Sequence, residues 1–211
     1  MTPSRPTVAL TFALMLLASA ALAVAPGDPV PPGGGRLVLD TGWALPLGDL
    51  DDGLDASPRS AGARPGFELG LEWRFALSPA WSLAPTLHAL GYADATGLGD
   101  DGESSLSSSA LRYGLELMRS STRDGVQPFV AVAPCYLRNR LKGPGKDHLT
   151  LVDASCGALG LTARAGLRFS DTELSLAWQV NRFTTYGFFP ENGQQSFNWD
   201  TLVLRVGWRL P

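Results

Sequence analysis

Lysine, histidine, cysteine and net charge are all scarce in this 211-residue sequence. Lysine occurs only at Lys142 and Lys146, against fifteen arginines, fewer than a water-solvated surface normally carries. The formal net charge is −3, so there is no basic footprint for a nucleic acid. Beyond the first two dozen residues no further run of about 20 apolar residues occurs, which excludes a membrane-spanning helix from the remainder. Two acidic stretches, Asp49, Asp51, Asp52 and Asp55, then Asp100, Asp101 and Glu103, lack the twelve-residue spacing and closing Glu of an EF-hand. They read as solvated loops, and neither a metal nor another cofactor is expected. His88 and His148 are the only histidines, and neither has a nucleophile and an orienting group beside it, so no catalytic residue is assigned.

The start of the chain reads as a targeting segment. Arg5 supplies a positive charge, Val8 to Val24 is an apolar run of small residues, Leu and Met, and Ala21-Leu22-Ala23 is an A-x-A cleavage site. Residues 1–23 are therefore expected to be a signal peptide. No cysteine follows the run, which excludes a lipid anchor there. Residues 24–35, rich in Pro and Gly, form a flexible lead, and residues 36–211 are one domain. Export to an oxidising compartment, with Cys135 and Cys156 flanking one loop, predicts a disulfide between them. Closing about 20 residues would stabilise by about 3 kcal/mol.

The domain alternates. In FELGLEWRFAL the residues Phe67, Leu69, Leu71, Trp73, Phe75 and Leu77 are apolar, and Glu68, Gly70, Glu72, Arg74 and Ala76 lie between them. That period of two places the sets on opposite faces of a strand. Ser78-Pro79-Ala80 reverses the chain, and Trp81, Leu83 and Leu87 resume the pattern. Similar runs begin at Arg36, Ser107, Val126, Cys156, Thr172 and near Leu202, giving eight strands of roughly 10–12 residues. The connections between them run long, short, long, short, long, short, long. The expected fold is an all-β, eight-stranded antiparallel up-and-down transmembrane β-barrel. Pro85 and Pro134 fall inside strands and mark either bulges or misplaced strand ends.

Alternation alone does not say which face points out. The less apolar face combines glycines with nearly balanced charges: Glu68, Glu72, Arg74, Arg112, Glu116, Arg164, Arg168, Glu173 and Arg205. This suits the ion-paired lumen of a small barrel that is wide enough only for its own side chains and has no open pore. The other face carries Trp43, Trp73, Trp81, Trp178 and Trp208, with Phe75 and Phe169, an expected aromatic girdle at the membrane interfaces. The opposite orientation would make a soluble periplasmic, lipocalin-like carrier of a hydrophobic ligand.

The segments GWALPLGDL, FELGLEWRF, GALGLTARAGLRF and TLVLRVGWRL together resemble the outer-membrane β-barrel domain family, the small OmpA/OmpX-type barrels, over nearly all of residues 36–210. The resemblance implies an integral outer-membrane protein of a Gram-negative bacterium, with a periplasmic N-terminus and four long extracellular loops. It implies contact with outer-membrane lipid and lipopolysaccharide, insertion by the barrel-assembly machinery, and a structural or surface-binding role toward a ligand the sequence does not name. Members usually close on a terminal Phe or Trp, whereas here Trp208 is followed by Arg209, Leu210 and Pro211. Some small outer-membrane barrels deacylate or acylate lipid A using His with Ser. His88 falls on the inferred lumen side and His148 in a loop, so an enzyme is not expected.

Overall fold

The computed structural model describes residues 35–50, 63–93, 95–99, 102–121, 125–144, 151–185 and 194–210. The expected signal peptide and most of the lead lie outside them, as do His148, Asp51, Asp52, Asp55, Asp100 and Asp101. The strands are β1 (Arg36–Pro46), β2 (Arg64–Ala76), β3 (Trp81–Ala93), β4 (Ala95–Gly99), β5 (Gly102–Ser120), β6 (Val126–Pro144), β7 (Leu151–Phe169), β8 (Thr172–Thr185), β9 (Gln195–Asn198) and β10 (Thr201–Arg209). All pairings are antiparallel between chain neighbours, and β10 bonds both β8 and β1, which closes the sheet on itself. β4 pairs only with β5, extending the third stave. β9 and β10 meet β8 in one continuous register, joined by the Trp199 N–H donating to the Asn181 carbonyl at 2.9 Å, so they form a single stave. The result is a closed eight-stranded antiparallel β-barrel, as the alternation predicts.

The period-two pattern acts through burial. Along β2 the side chains of Phe67, Leu69, Leu71, Trp73 and Phe75 face out, and Glu68, Gly70, Glu72 and Arg74 face in. The short connections are tight. Leu77 and Ser78 N–H both donate to the Trp81 carbonyl, and Ser170-Asp171 joins β7 to β8 with Ser170 at φ 54°, the positive φ a two-residue hairpin favours at its first central residue.

Three expectations are corrected. β5, β6 and β7 are each 19 residues long, so much of the second and third predicted loops is ladder. Above the apolar belt a strand still pairs through its backbone while its outward face turns polar, and alternation stops signalling it. Pro85 and Pro134 mark no bulge. Glu72↔Thr86 and Phe75↔Leu83 share one register, as do Gly114↔Cys135 and Leu117↔Val132, with pairing skipped only beside each proline. On their other sides Pro85 pairs with Leu115 and Pro134 with Leu161, so each proline forfeits a hydrogen bond toward one neighbour and the register is kept. Finally, Cys135 and Cys156 are free thiols. Cys156 pairs with Asn139, four residues beyond Cys135, a displacement of roughly 13 Å at ~3.3 Å per residue. A disulfide needs Cα atoms within about 7 Å. The two cysteines are near in sequence but offset along the ladder.

Candidate functional site

The lumen is stratified. At the long-connection end an apolar cluster fills it, with Leu50, Leu90, Tyr92, Leu141 and the rings of Phe183, Phe197 and Trp199 packed together. Phe183 and Phe197 stack at 5.2 Å, and Trp199 meets Phe183 edge-on at 5.4 Å. Tyr92 Oη bonds Thr201 Oγ1 at 2.6 Å from the opposite side. Toward the short turns Met118 and Phe129 pack together beneath the charged layer.

Between these layers sits the charge network, and the structure brings together every residue assigned to it. Arg164 reaches across from β7 to Glu72 at 2.9 Å and to Glu116 at 2.5 Å. Arg74 bonds Glu72 and Glu173, each at 2.5 Å, and Arg168 Nε donates to Glu173 at 2.8 Å. Arg205 Nε donates to Glu68 Oε1, while Gln179 Nε2 donates to Glu68 Oε2 at 2.5 Å. Arg112 lies 3.6 Å from Glu68 and donates to Thr162 at 2.6 Å. These side chains are buried, so each charge needs a partner to offset the loss of water.

Sequence reasoning missed one member. The nine assigned residues carry four carboxylates against five guanidiniums. Asp40 on β1, 4 % exposed and 3.9 Å from Arg164, completes a balance of five carboxylates (Asp40, Glu68, Glu72, Glu116, Glu173) and five guanidiniums (Arg74, Arg112, Arg164, Arg168, Arg205). Its parity with Gly42 and Ala44 on the inward face was the available signal. His88 belongs to the same layer, with Nδ1 3.2 Å from Glu68 Oε1. Gly70 makes room for it, because a Cβ there would collide with the imidazole ring. Asp40, Glu72 and His88 each bring one possible metal-ligand atom within 4.8 Å of the others. Arg164 already pairs with Glu72 and faces Asp40, so its guanidinium holds the place a cation would take.

The outer surface is apolar. Leu69, Leu71, Leu87, Leu115, Leu161 and Leu176 are each more than 40 % exposed. Aromatic rings border this belt. Trp73, Phe75, Trp81, Phe169 and Trp208 ring the short-turn end, and Trp43 marks the other. Trp178 also faces outward and belongs with Trp43, its ladder row running through Leu202 to Leu45 at the long-connection end of β1. Three rings not assigned from sequence share the long-connection border: Phe67 meets Trp43 edge-on at 5.0 Å, and Tyr113 and Tyr136 lie 5.2 Å apart. Immediately beyond Tyr136, the outward face of β6 turns basic at Arg138, Arg140 and Lys142. Arg140 forks onto Asp153 with two bonds of 2.9 Å and holds that carboxyl below its ordinary pKa through those hydrogen bonds. Arg138 and Lys142 add positive charge to either side.

No protein-family model matches the chain, and no curated protein sequence matches it. Among solved structures it is similar to Neisserial surface protein A (NspA), with 13 % identity and a TM-score of 0.57, covering 86 % of this chain and 99 % of that one. OprG from Pseudomonas aeruginosa shows 14 % identity and a TM-score of 0.45, covering 87 % and 99 % of the two chains. Ail, the attachment invasion locus protein of Yersinia pestis, solved with the heparin analogue sucrose octasulfate, shows 13 % identity and a TM-score of 0.45, covering 84 % and 100 %. The likeness to NspA bears on the fold, which is that of the small eight-stranded outer-membrane barrels.

Proposed function

We propose that this protein is an integral outer-membrane β-barrel whose lumen is a sealed structural core and whose long-connection end engages surface ligands. The observation that carries this reading is the continuous outward belt of leucines bounded at both ends by aromatic rings. Along β6 it runs from Val126 to Tyr136, about 34 Å of strand and roughly 25 Å along the barrel axis at a tilt near 45°. That height matches the apolar band of a membrane barrel, and water would leave it unsatisfied. A lipocalin-like carrier needs the reverse arrangement, with an apolar interior to receive its ligand.

The lumen supports a role other than conduction. The aromatic cluster fills one end, and the ion pairs neutralise one another in the middle. An enzymatic role is not proposed: His88 is enclosed by Glu68, Gly70 and the arginines, with no lipid within its reach. Orientation follows from the connections, with the short turns in the periplasm and the extended β4–β5 and β6–β7 hairpins outside. In that orientation Arg138, Arg140 and Lys142 stand at the level of the outer-leaflet head groups, and they would bind lipopolysaccharide phosphates.

The test is fractionation of a Gram-negative host expressing the full chain, with unboiled and boiled samples compared on SDS gels. An outer-membrane band that shifts on boiling is expected, and a soluble periplasmic band with no shift would overturn the proposal. Arg138→Gln/Arg140→Gln/Lys142→Gln should lower co-purified lipopolysaccharide severalfold and leave the shift intact. Unchanged lipopolysaccharide would remove the basic ridge from the account.

A further inference from the structure

At the short-turn mouth of the barrel a cavity of about 260 Å³ opens below the charged layer. Four guanidiniums line it, from Arg36, Arg74, Arg168 and Arg209, each delivered by the end of a different strand. Arg36 and Arg74 are direct cross-strand partners on β1 and β2, a like-charge opposition that costs stability if nothing lies between them. The available anions do not cover this charge. Arg74 and Arg168 share the single carboxylate of Glu173, and Arg74 shares Glu72 with Arg164. Arg209 has only Asp171, at 3.8 Å and 73 % exposed, and Arg36 has no ion pair among the described residues. Nε of Arg74, whose side chain is 93 % buried, and Nε of Arg209 are buried without a hydrogen-bond partner among the described residues. The hydroxyl-bearing Ser82 and Ser120 line the same space.

We propose that this mouth is a binding site for a phosphoryl group. Guanidinium forks and hydroxyls arriving from several walls suit a tetrahedral oxyanion with acceptors on every side, whereas a planar carboxylate would be satisfied by one fork. Such a group would separate Arg36 from Arg74 and offset the positive charge that the carboxylates leave uncovered. It has two possible sources: a free phosphate compound in the compartment the mouth faces, or the head group of a phospholipid beside the Trp81 border.

The experiment separates them. The detergent-folded protein is titrated calorimetrically with inorganic phosphate at constant ionic strength, with acetate as comparison. In parallel, protein from phosphatidylglycerol nanodiscs is exchanged into detergent and its retained phospholipid phosphorus is measured. Saturable phosphate binding, weakened at least tenfold in Arg36→Gln/Arg209→Gln and unchanged in Arg64→Gln at the far end of β2, supports a soluble ligand. Retained phosphatidylglycerol that the same double variant loses supports the lipid. A response in neither arm, or acetate binding as tightly as phosphate, overturns the proposal. Ser82→Asp places a carboxylate in the cavity and should abolish both responses while the cold-SDS band persists, and retained binding in it would also overturn the site. The lipid arm rests on the membrane reading and the detergent arm does not, so failure of one is distinguishable from failure of the other.

Discussion

Removing Arg164 should unbalance the lumen. Its guanidinium is 1 % exposed and holds Glu72 at 2.9 Å and Glu116 at 2.5 Å, with Asp40 at 3.9 Å. In Arg164→Met the volume is nearly kept, but five buried carboxylates face four guanidiniums. Glu72 retains Arg74 at 2.5 Å, whereas Glu116 loses its only hydrogen-bonded ion pair among the described residues. Stripping one partner from a buried pair typically costs about 3–5 kcal/mol, because the remaining charge stays desolvated. Glu116→Gln should cost less, since Arg164 keeps Glu72. In the double variant Arg164→Met/Glu116→Gln the stranded charge is gone, so it should be at least about 1 kcal/mol more stable than the two single costs added together. The assay is equilibrium urea unfolding of the lipid-folded barrel, with conversion of the cold-SDS band as a second probe. If Arg164→Met unfolds within about 1 kcal/mol of the parent, or the double variant shows no coupling, the network does not hold the barrel as described.

Two further outcomes follow from the geometry. Thiol titration of unreduced, unfolded protein should find both cysteines free, and Cys135→Ser/Cys156→Ser should unfold within about 1 kcal/mol of the parent; a loss near 3 kcal/mol would reinstate a cross-link. Gly70→Ala should destabilise by about 1–3 kcal/mol, because its methyl would collide with the His88 ring, and Gly70→Ala/His88→Ala should recover most of that loss. A Gly70→Ala variant as stable as the parent would show that the imidazole moves aside freely.

Much of this fold is legible in the sequence because a closed barrel applies one rule to every strand. Parity alone assigns Glu68, Glu72 and Arg74 to one face and Leu69, Leu71 and Trp73 to the other, and the glycines and balanced charges of the first face mark it as the lumen. What parity does not carry is register. The offset between Cys135 and Cys156 depends on how far β6 slides past β7, which the intervening residues do not reveal. The ends of β5, β6 and β7 at 102–106, 138–144 and 151–155 read as loops in the sequence because hydrogen bonding there continues after the hydrophobic pattern ends. Asp40 was hidden by its small neighbours: one charge among Val38, Gly42 and Ala44 gives no sign that it reaches Arg164. The lumen cluster of Phe183, Phe197 and Trp199 comes from a stave interrupted at Trp199-Asp200, where no alternating run is long enough to read.

Site-directed labelling shows whether the leucine belt lies against lipid. In a Cys135→Ala/Cys156→Ala background, Leu71→Cys sits in the belt, 42 % exposed in the structure, and Arg140→Cys sits beyond it. With the barrel folded into vesicles, a membrane-impermeant maleimide should label position 140 and leave position 71 untouched. A fluorophore attached at position 71 before insertion should be quenched by brominated acyl chains. Aqueous labelling of position 71 in vesicle-associated protein, without quenching by brominated lipid, would contradict it and return the belt to water or to a protein partner.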